Sequence, residues 1–152
     1  MSGQTSEAFG EGERFPVNKQ MILTIKRHVV TGVSSQGSPY SVLVSDGAYA
    51  FMAGVVASDL EGGAAAHGDI GAETRLVMEA IRRGLQSIGL GMDRIVRVDV
   101  HLTDLATMAV MNQAYRKFFD GDKLPARTCT QSTQLAGGSN VEITVTARLS
   151  PS

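Results

Sequence analysis

Toward the end of the sequence, Pro125-Ala126-Arg127-Thr128-Cys129 is followed by Val141-Glu142-Ile143. The arginine and the glutamate stand 142 − 127 = 15 residues apart, on two successive strand-like segments. A guanidinium is planar, and its fork of donors matches the two oxygens of a carboxylate, so Arg127 is a natural anchor for a carboxylate ligand. A glutamate facing the same space can hold a water or move a proton. Strand parity groups Arg127, Cys129 and Gln131 on one face of the first segment, opposite Thr128 and Thr130. On the second segment it groups Glu142, Thr144 and Thr146, opposite Val141, Ile143 and Val145. A solvated cross-strand ion pair between Arg127 and Glu142 fits the same spacing. Against that reading stand Pro125, which fixes the start of the strand, and Cys129, a residue type that prefers burial.

Asn112 is a second candidate, since it falls between Met108 and Tyr115 on the apolar side of a helical segment. An amide there has to find partners, at a cost on the order of 1 kcal/mol or more if it does not. Either it bonds to backbone or it orients a ligand. Cys129 reads as a buried small hydrophobe or, with a base nearby, as a nucleophile, and no histidine is placed by sequence to serve as that base. His28, His67 and His101 share no ligand spacing and Cys129 has no CxxC partner, which leaves no motif for a metal. No Gly-x-Ser-x-Gly elbow is present. The stretch Gly62 to Gly68 is glycine-rich but lacks the Gly-Lys-Ser/Thr ending of a phosphate loop, and reads as a connection.

The elements that must position these residues follow from periodicity. Met21–Val30, Ser41–Ser45 and Ala48–Val56 read as three strands, the last two joined at Asp46-Gly47, a hairpin signal, and the third buried on both faces. From Asp69 to Ile88 the pattern is helical, with Val77, Ile81, Leu85 and Ile88 on one stripe and Glu73, Glu79, Arg82 and Arg83 off it. Ile95–Leu102 alternates cleanly, placing Val96, Val98, Val100 and Leu102 on one face and Arg97, Asp99 and His101 on the other. Thr103-Asp104 caps a second helix, Leu105–Phe119, and Ala126–Gln131 and Val141–Arg148 are the last strands. The order β-β-β-α-β-α-β-β predicts an α+β fold with both helices on one side of a mixed sheet.

The 152 residues suit a single domain, taken as 19–152, behind a polar, acidic and disordered lead-in at 1–18. A composition 43% hydrophobic and 19% charged is that of a globular protein. With 14 basic against 15 acidic residues the net charge is −1, which argues against capture of nucleic acid. The lone cysteine suits a reducing compartment, and no apolar run approaches the length of a membrane span, so a cytoplasmic protein is expected.

The C-terminal motif, with Leu135 between its two parts, closely resembles the signature of the Rid (YjgF) family of enamine/imine deaminases. Asp104-Leu105 and Asn112-Gln113-Ala114-Tyr115-Arg116-Lys117-Phe118-Phe119 resemble the family's second helix, and Pro39-Tyr40 with Ala53-Gly54 resembles its Pro-Tyr and Ser-Gly pair. The resemblance, spanning about Pro39 to Arg148, implies a chorismate-mutase-like homotrimer with clefts between subunits. It implies hydrolysis of 2-aminoacrylate-type enamines, through their imine tautomers, to 2-keto acids and ammonia without a cofactor or metal. In this chain Arg127 would grip the substrate carboxylate and Glu142 would position the attacking water and carry its proton. Cys129 would wall the pocket and present its backbone carbonyl, Asn112 would orient the site, Tyr40 would line the mouth and Gly54 would admit the ligand. Ala53 stands where many members carry serine, which removes a hydroxyl from the carboxylate site. Two other readings belong to the same resemblance: a non-enzymatic 2-keto acid sensor, and an endoribonuclease or translation inhibitor.

Overall fold

The structure, a computed structural model, describes residues 24–33, 35 and 37–149. The lead-in expected at 1–18 lies outside the described residues, as does the start of the first expected strand. Seven strands form one sheet: β1 (Lys26–His28), β2 (Leu43–Ser45), β3 (Tyr49–Met52), β4 (Val55–Val56), β5 (Ile95–Leu102), β6 (Ala126–Gln131) and β7 (Val141–Arg148). The strand order is β1-β2-β3-β7-β5-β6, with β4 continuing beside β7. β6 is parallel to β5, while β7 is antiparallel to β3, β4 and β5. The helices are α1 (Gly63–Ala66), α2 (Ile70–Gln86) and α3 (Met108–Arg116). Alternation in the last three strands predicts their ends to the residue, and the α+β fold with its two long helices on one face is the one the sequence implies.

The helical face of the sheet carries the core. Val98, Val100, Leu102, Val141, Ile143 and Val145 are buried against Val77, Met78, Ile81 and Leu85 of α2 and Met111 of α3. Full burial of each such aliphatic side chain contributes roughly 1.5–3 kcal/mol. At Gly84 a Cβ would stand 2.9 Å from Met52 Cε, so the missing side chain lets α2 lie close to β3.

Several local expectations are corrected. Ala48–Val56 is two strands, because β3 ends at Met52 and Ala53-Gly54 interrupts it; it is not buried on both faces either, as Phe51 is 42% exposed. In β5 the register shifts between Ile95 and Arg97, so Val96 is the extra residue of a bulge. Ile95 takes the core place expected of Val96, which is 43% exposed. Gly62–Gly68 contains the single-turn helix α1 rather than a plain connection. The second helix opens as a 3-10 turn at Leu105–Thr107, where Asp104 Oδ1 accepts from Ala106 N at 2.9 Å, and its α-helical part ends at Arg116 rather than Phe119. Met108 is exposed. Glu73, read as off the apolar stripe, is fully buried. The turn at Asp46-Gly47 forms as expected: Asp46 Oδ1 accepts from Ala48 N at 2.9 Å and Tyr49 N at 2.7 Å, donors that hold its carboxyl below the usual range.

Candidate active site in two halves

Strand order decides where the two candidate chemical residues go. β5 lies between β6 and β7, so the strands of Arg127 and Glu142 are not neighbours. Arg127 registers with Val98, whose side chain is in the core, and Glu142 registers with His101 on the other face. Val98 and His101 are three residues apart, so period-2 alternation puts them on opposite faces. Arg127 and Glu142 therefore share no space within one chain, and the cross-strand ion pair between them does not form.

On the helical side, Arg127 reaches a cleft of about 330 Å³ lined also by Asn112, Tyr115, Arg116, Leu124 and Pro125. Its guanidinium carbon stands 4.8 Å from the centroid of the Tyr115 ring, a cation–π contact that holds the side chain at the cleft wall. The Tyr115 ring is held in turn by Phe119, with centroids 4.9 Å apart. Asn112 Oδ1 and the Tyr115 hydroxyl are buried and have no protein partner. Unpaired buried polar atoms are uncommon, and these two, beside one arginine, leave hydrogen-bonding capacity free at the cleft. The backbone bond open to Asn112 on sequence grounds is not made by its Oδ1. Burial pushes the Tyr115 phenol up to about 12, against an opposing effect of the Arg127 charge. It stays a neutral donor at any ordinary pH.

Cys129 follows Arg127 on the same face and packs against the core. Burial raises its thiol above the usual range, again opposed by Arg127, which disfavours the thiolate a nucleophile needs.

On the other side of the sheet, Glu142 lines a cleft of about 250 Å³ with Tyr40, Ala53, Gly54, Val56, Asp59 and Ala136. The break between β3 and β4 makes room for the carboxylate: a Cβ on Gly54 would collide with Glu142 Oε1. Gly54→Ala is accordingly expected to displace the Glu142 side chain rather than to unfold the chain. Any Glu142-dependent turnover should fall about tenfold or more with Tm little changed, as read by steady-state kinetics beside thermal melts. On β5 the ring of His101, the register partner of Glu142, leans the other way, with Nδ1 2.7 Å from Thr130 Oγ1.

The structure thus gathers Asn112 and Arg127 in one cleft, and Tyr40, Ala53, Gly54 and Glu142 in the other. Sequence reasoning missed Tyr115 as a lining residue because its ring fits the apolar stripe; the signal was the hydroxyl one turn from Asn112. Asp59 and Ala136 carried no sequence signal, being brought in by turns far apart in the chain. Among the described residues no three His, Cys, Asp or Glu side chains come together as a metal site.

Residues 34–149 match the family described as Endoribonuclease L-PSP. A RutC family protein of Pyrococcus horikoshii is 33% identical over 105 residues, 69% of this chain and 82% of that protein. A Rid family protein, YyfA of Yersinia pestis, superposes with a TM-score of 0.76 at 26% identity, over 83% of this chain and 100% of that one. E. coli TdcF, solved with bound serine, superposes with a TM-score of 0.67 at 29% identity, over 74% and 89%. With the motifs around Arg127 and Glu142 lying inside the matched span and 83% of the chain superposing on a Rid family structure, the chain belongs to the Endoribonuclease L-PSP family, the RidA/YjgF superfamily.

Proposed function

We propose that this protein hydrolyses 2-aminoacrylate-type enamines, as their imines, to 2-keto acids and ammonia, in clefts between the chains of a cytoplasmic homotrimer. The observation that carries the reading is the division of the site: the anchor and the base open on opposite faces of one sheet, and each cleft holds only half of the groups. A second copy, presenting its Glu142 face to the Arg127 cleft of the first, supplies the missing half, and repetition of that contact around a three-fold axis closes a ring. The helix-free face, with Phe51, Val96, Arg97 and Asp99, is the surface such packing covers.

In the joined cleft Arg127 grips the substrate carboxylate in two-pronged fashion. Asn112 Oδ1 accepts from the imine N–H and the neutral Tyr115 hydroxyl donates to a substrate oxygen, which satisfies both orphaned atoms. Cys129 contributes wall and backbone carbonyl. The neighbouring chain's Glu142 holds a water and takes one of its protons as the oxygen bonds to the imine carbon. That proton passes to nitrogen, giving the carbinolamine; Glu142 then takes the carbinolamine's hydroxyl proton and delivers it to the amino group as the C–N bond breaks, leaving the ketone and releasing ammonia. Water and imine are consumed and keto acid and ammonia formed, so the balance needs no redox partner. Binding of serine by TdcF fits this reading, since a free amino acid offers the same carboxylate and nitrogen. Tyr40 and Gly54 shape the mouth, and Ala53 leaves the carboxylate without a hydroxyl that many members provide.

The test adds the protein to a pyridoxal-phosphate dehydratase acting on serine or threonine and follows release of ammonia and keto acid. Faster release supports the deaminase. An unchanged rate, with 2-keto acid binding detected by calorimetry, overturns it in favour of a sensor. The net charge of −1 gives a ribonuclease reading no support.

A further inference from the structure

Glu73 is the one carboxylate in the core of the described residues, and it lines neither the Arg127 cleft nor the Glu142 cleft. It lies in the first turn of α2 and is fully buried. Its Oε1 accepts from Gly68 N at 2.9 Å and from Asn140 Nδ2 at 2.8 Å, and its Oε2 accepts from Asn140 N at 2.8 Å. All three groups facing it are donors, so both of its oxygens act as acceptors.

The far end of this contact is the loop that leads into β7. Asn140 also holds Thr103 at the end of β5, accepting from Thr103 Oγ1 at 3.0 Å and from Thr103 N at 3.1 Å. The preceding Ser139 accepts from Ser58 N at 3.1 Å, and Ser58 Oγ donates to Ala136 O at 3.4 Å. Ala136 and Asp59 line the Glu142 cleft, and Glu142 itself is two residues beyond Asn140. Glu73, His67, Ser58, Gly137 and Ser139 border a second cleft of about 430 Å³, so the same loop takes part in two clefts.

We infer that Glu73 is a positioning residue for Glu142, setting the loop 136–140 that carries one wall of the cleft and the start of β7. The inference rests on the deaminase reading for its kinetic consequence, though not for its structural one. Glu73→Gln isolates it. The amide oxygen can still accept from Gly68 N and Asn140 Nδ2, but its NH2 then faces Asn140 N, donor against donor.

The variant is compared with the natural chain by kinetics and by amide hydrogen exchange. In Glu73→Gln, kcat is expected to fall about tenfold with KM within about twofold, because the Arg127 cleft on the other face is untouched. In a Glu142→Gln background the same substitution should cost nothing further, a coupling that a merely stabilising residue does not show. Equal loss in both backgrounds, or unchanged kcat, overturns the inference. If the natural chain turns over no imine, the deaminase reading fails while exchange still decides this one. Exchange about tenfold faster at residues 139–142, with the rest of β7 unchanged, supports it. Unchanged exchange there, or uniform acceleration along β7, overturns it.

Discussion

Arg127→Ala is expected to lower kcat/KM for imine hydrolysis by about 100-fold or more while the fold stays intact. A bidentate grip supplies two charge-assisted hydrogen bonds, each contributing roughly 1.5–3 kcal/mol. Their loss comes to about 3–6 kcal/mol, and every ~1.4 kcal/mol is a factor of ten in rate. The fold has little at stake, because Arg127 sits at a cleft wall and its contact with the Tyr115 ring is worth only about 0.5–1 kcal/mol. Arg127→Lys should recover only part of the loss, since an ammonium keeps the charge without the fork. Steady-state kinetics on all three proteins, with Tm as control, gives the answer. Turnover by the alanine variant at the natural rate would remove Arg127 from the role of anchor.

The second large effect comes from mixing two inactive proteins. Arg127→Ala chains keep Glu142, and Glu142→Gln chains keep Arg127. Were both residues to serve one cleft within one chain, unfolding and refolding the two together would yield only dead sites. In a ring where each cleft takes Arg127 from one chain and Glu142 from the next, an equal mixture makes an intact cleft whenever the two types meet in the right order, which is about one time in four. Co-refolded protein should therefore recover about a quarter of natural activity per chain, whereas simple mixing without subunit exchange recovers none. The opposite-face placement of Arg127 and Glu142 makes this the expected outcome. No recovery after confirmed subunit exchange would place the site within a single chain.

What the sequence discloses and what it hides divide along local and non-local lines. β5, β6 and β7 begin and end where alternation puts them, because each has one face on the core and one away from it. Parity also groups Arg127 with Cys129 and Glu142 with the threonines. It cannot say that β5 inserts between β6 and β7, and that single non-local fact turns two residues of one apparent pocket into members of two clefts. The bulge at Val96 was hidden for a related reason: one extra residue leaves composition unchanged and alters only pairing with β7. Glu73 was misread because charge off an apolar stripe normally faces water. Here a loop more than sixty residues later in the chain turns back over the start of α2 and offers it two donors, Asn140 N and Nδ2, beside a third from Gly68 N just ahead of the helix.

The division of the site also changes what a ligand does to the assembly. A molecule held at its carboxylate by one chain and at its reacting carbon by the next binds the joined subunits and neither one alone. By mass action, such a ligand favours the associated state in proportion to its occupancy. In the proposed assembly, a rising supply of the reactive imine would thus draw together the subunits proposed to hydrolyse it. In the proposed ring each chain would take part in two clefts, so one occupied cleft would leave both participating chains with a further half-site already in place.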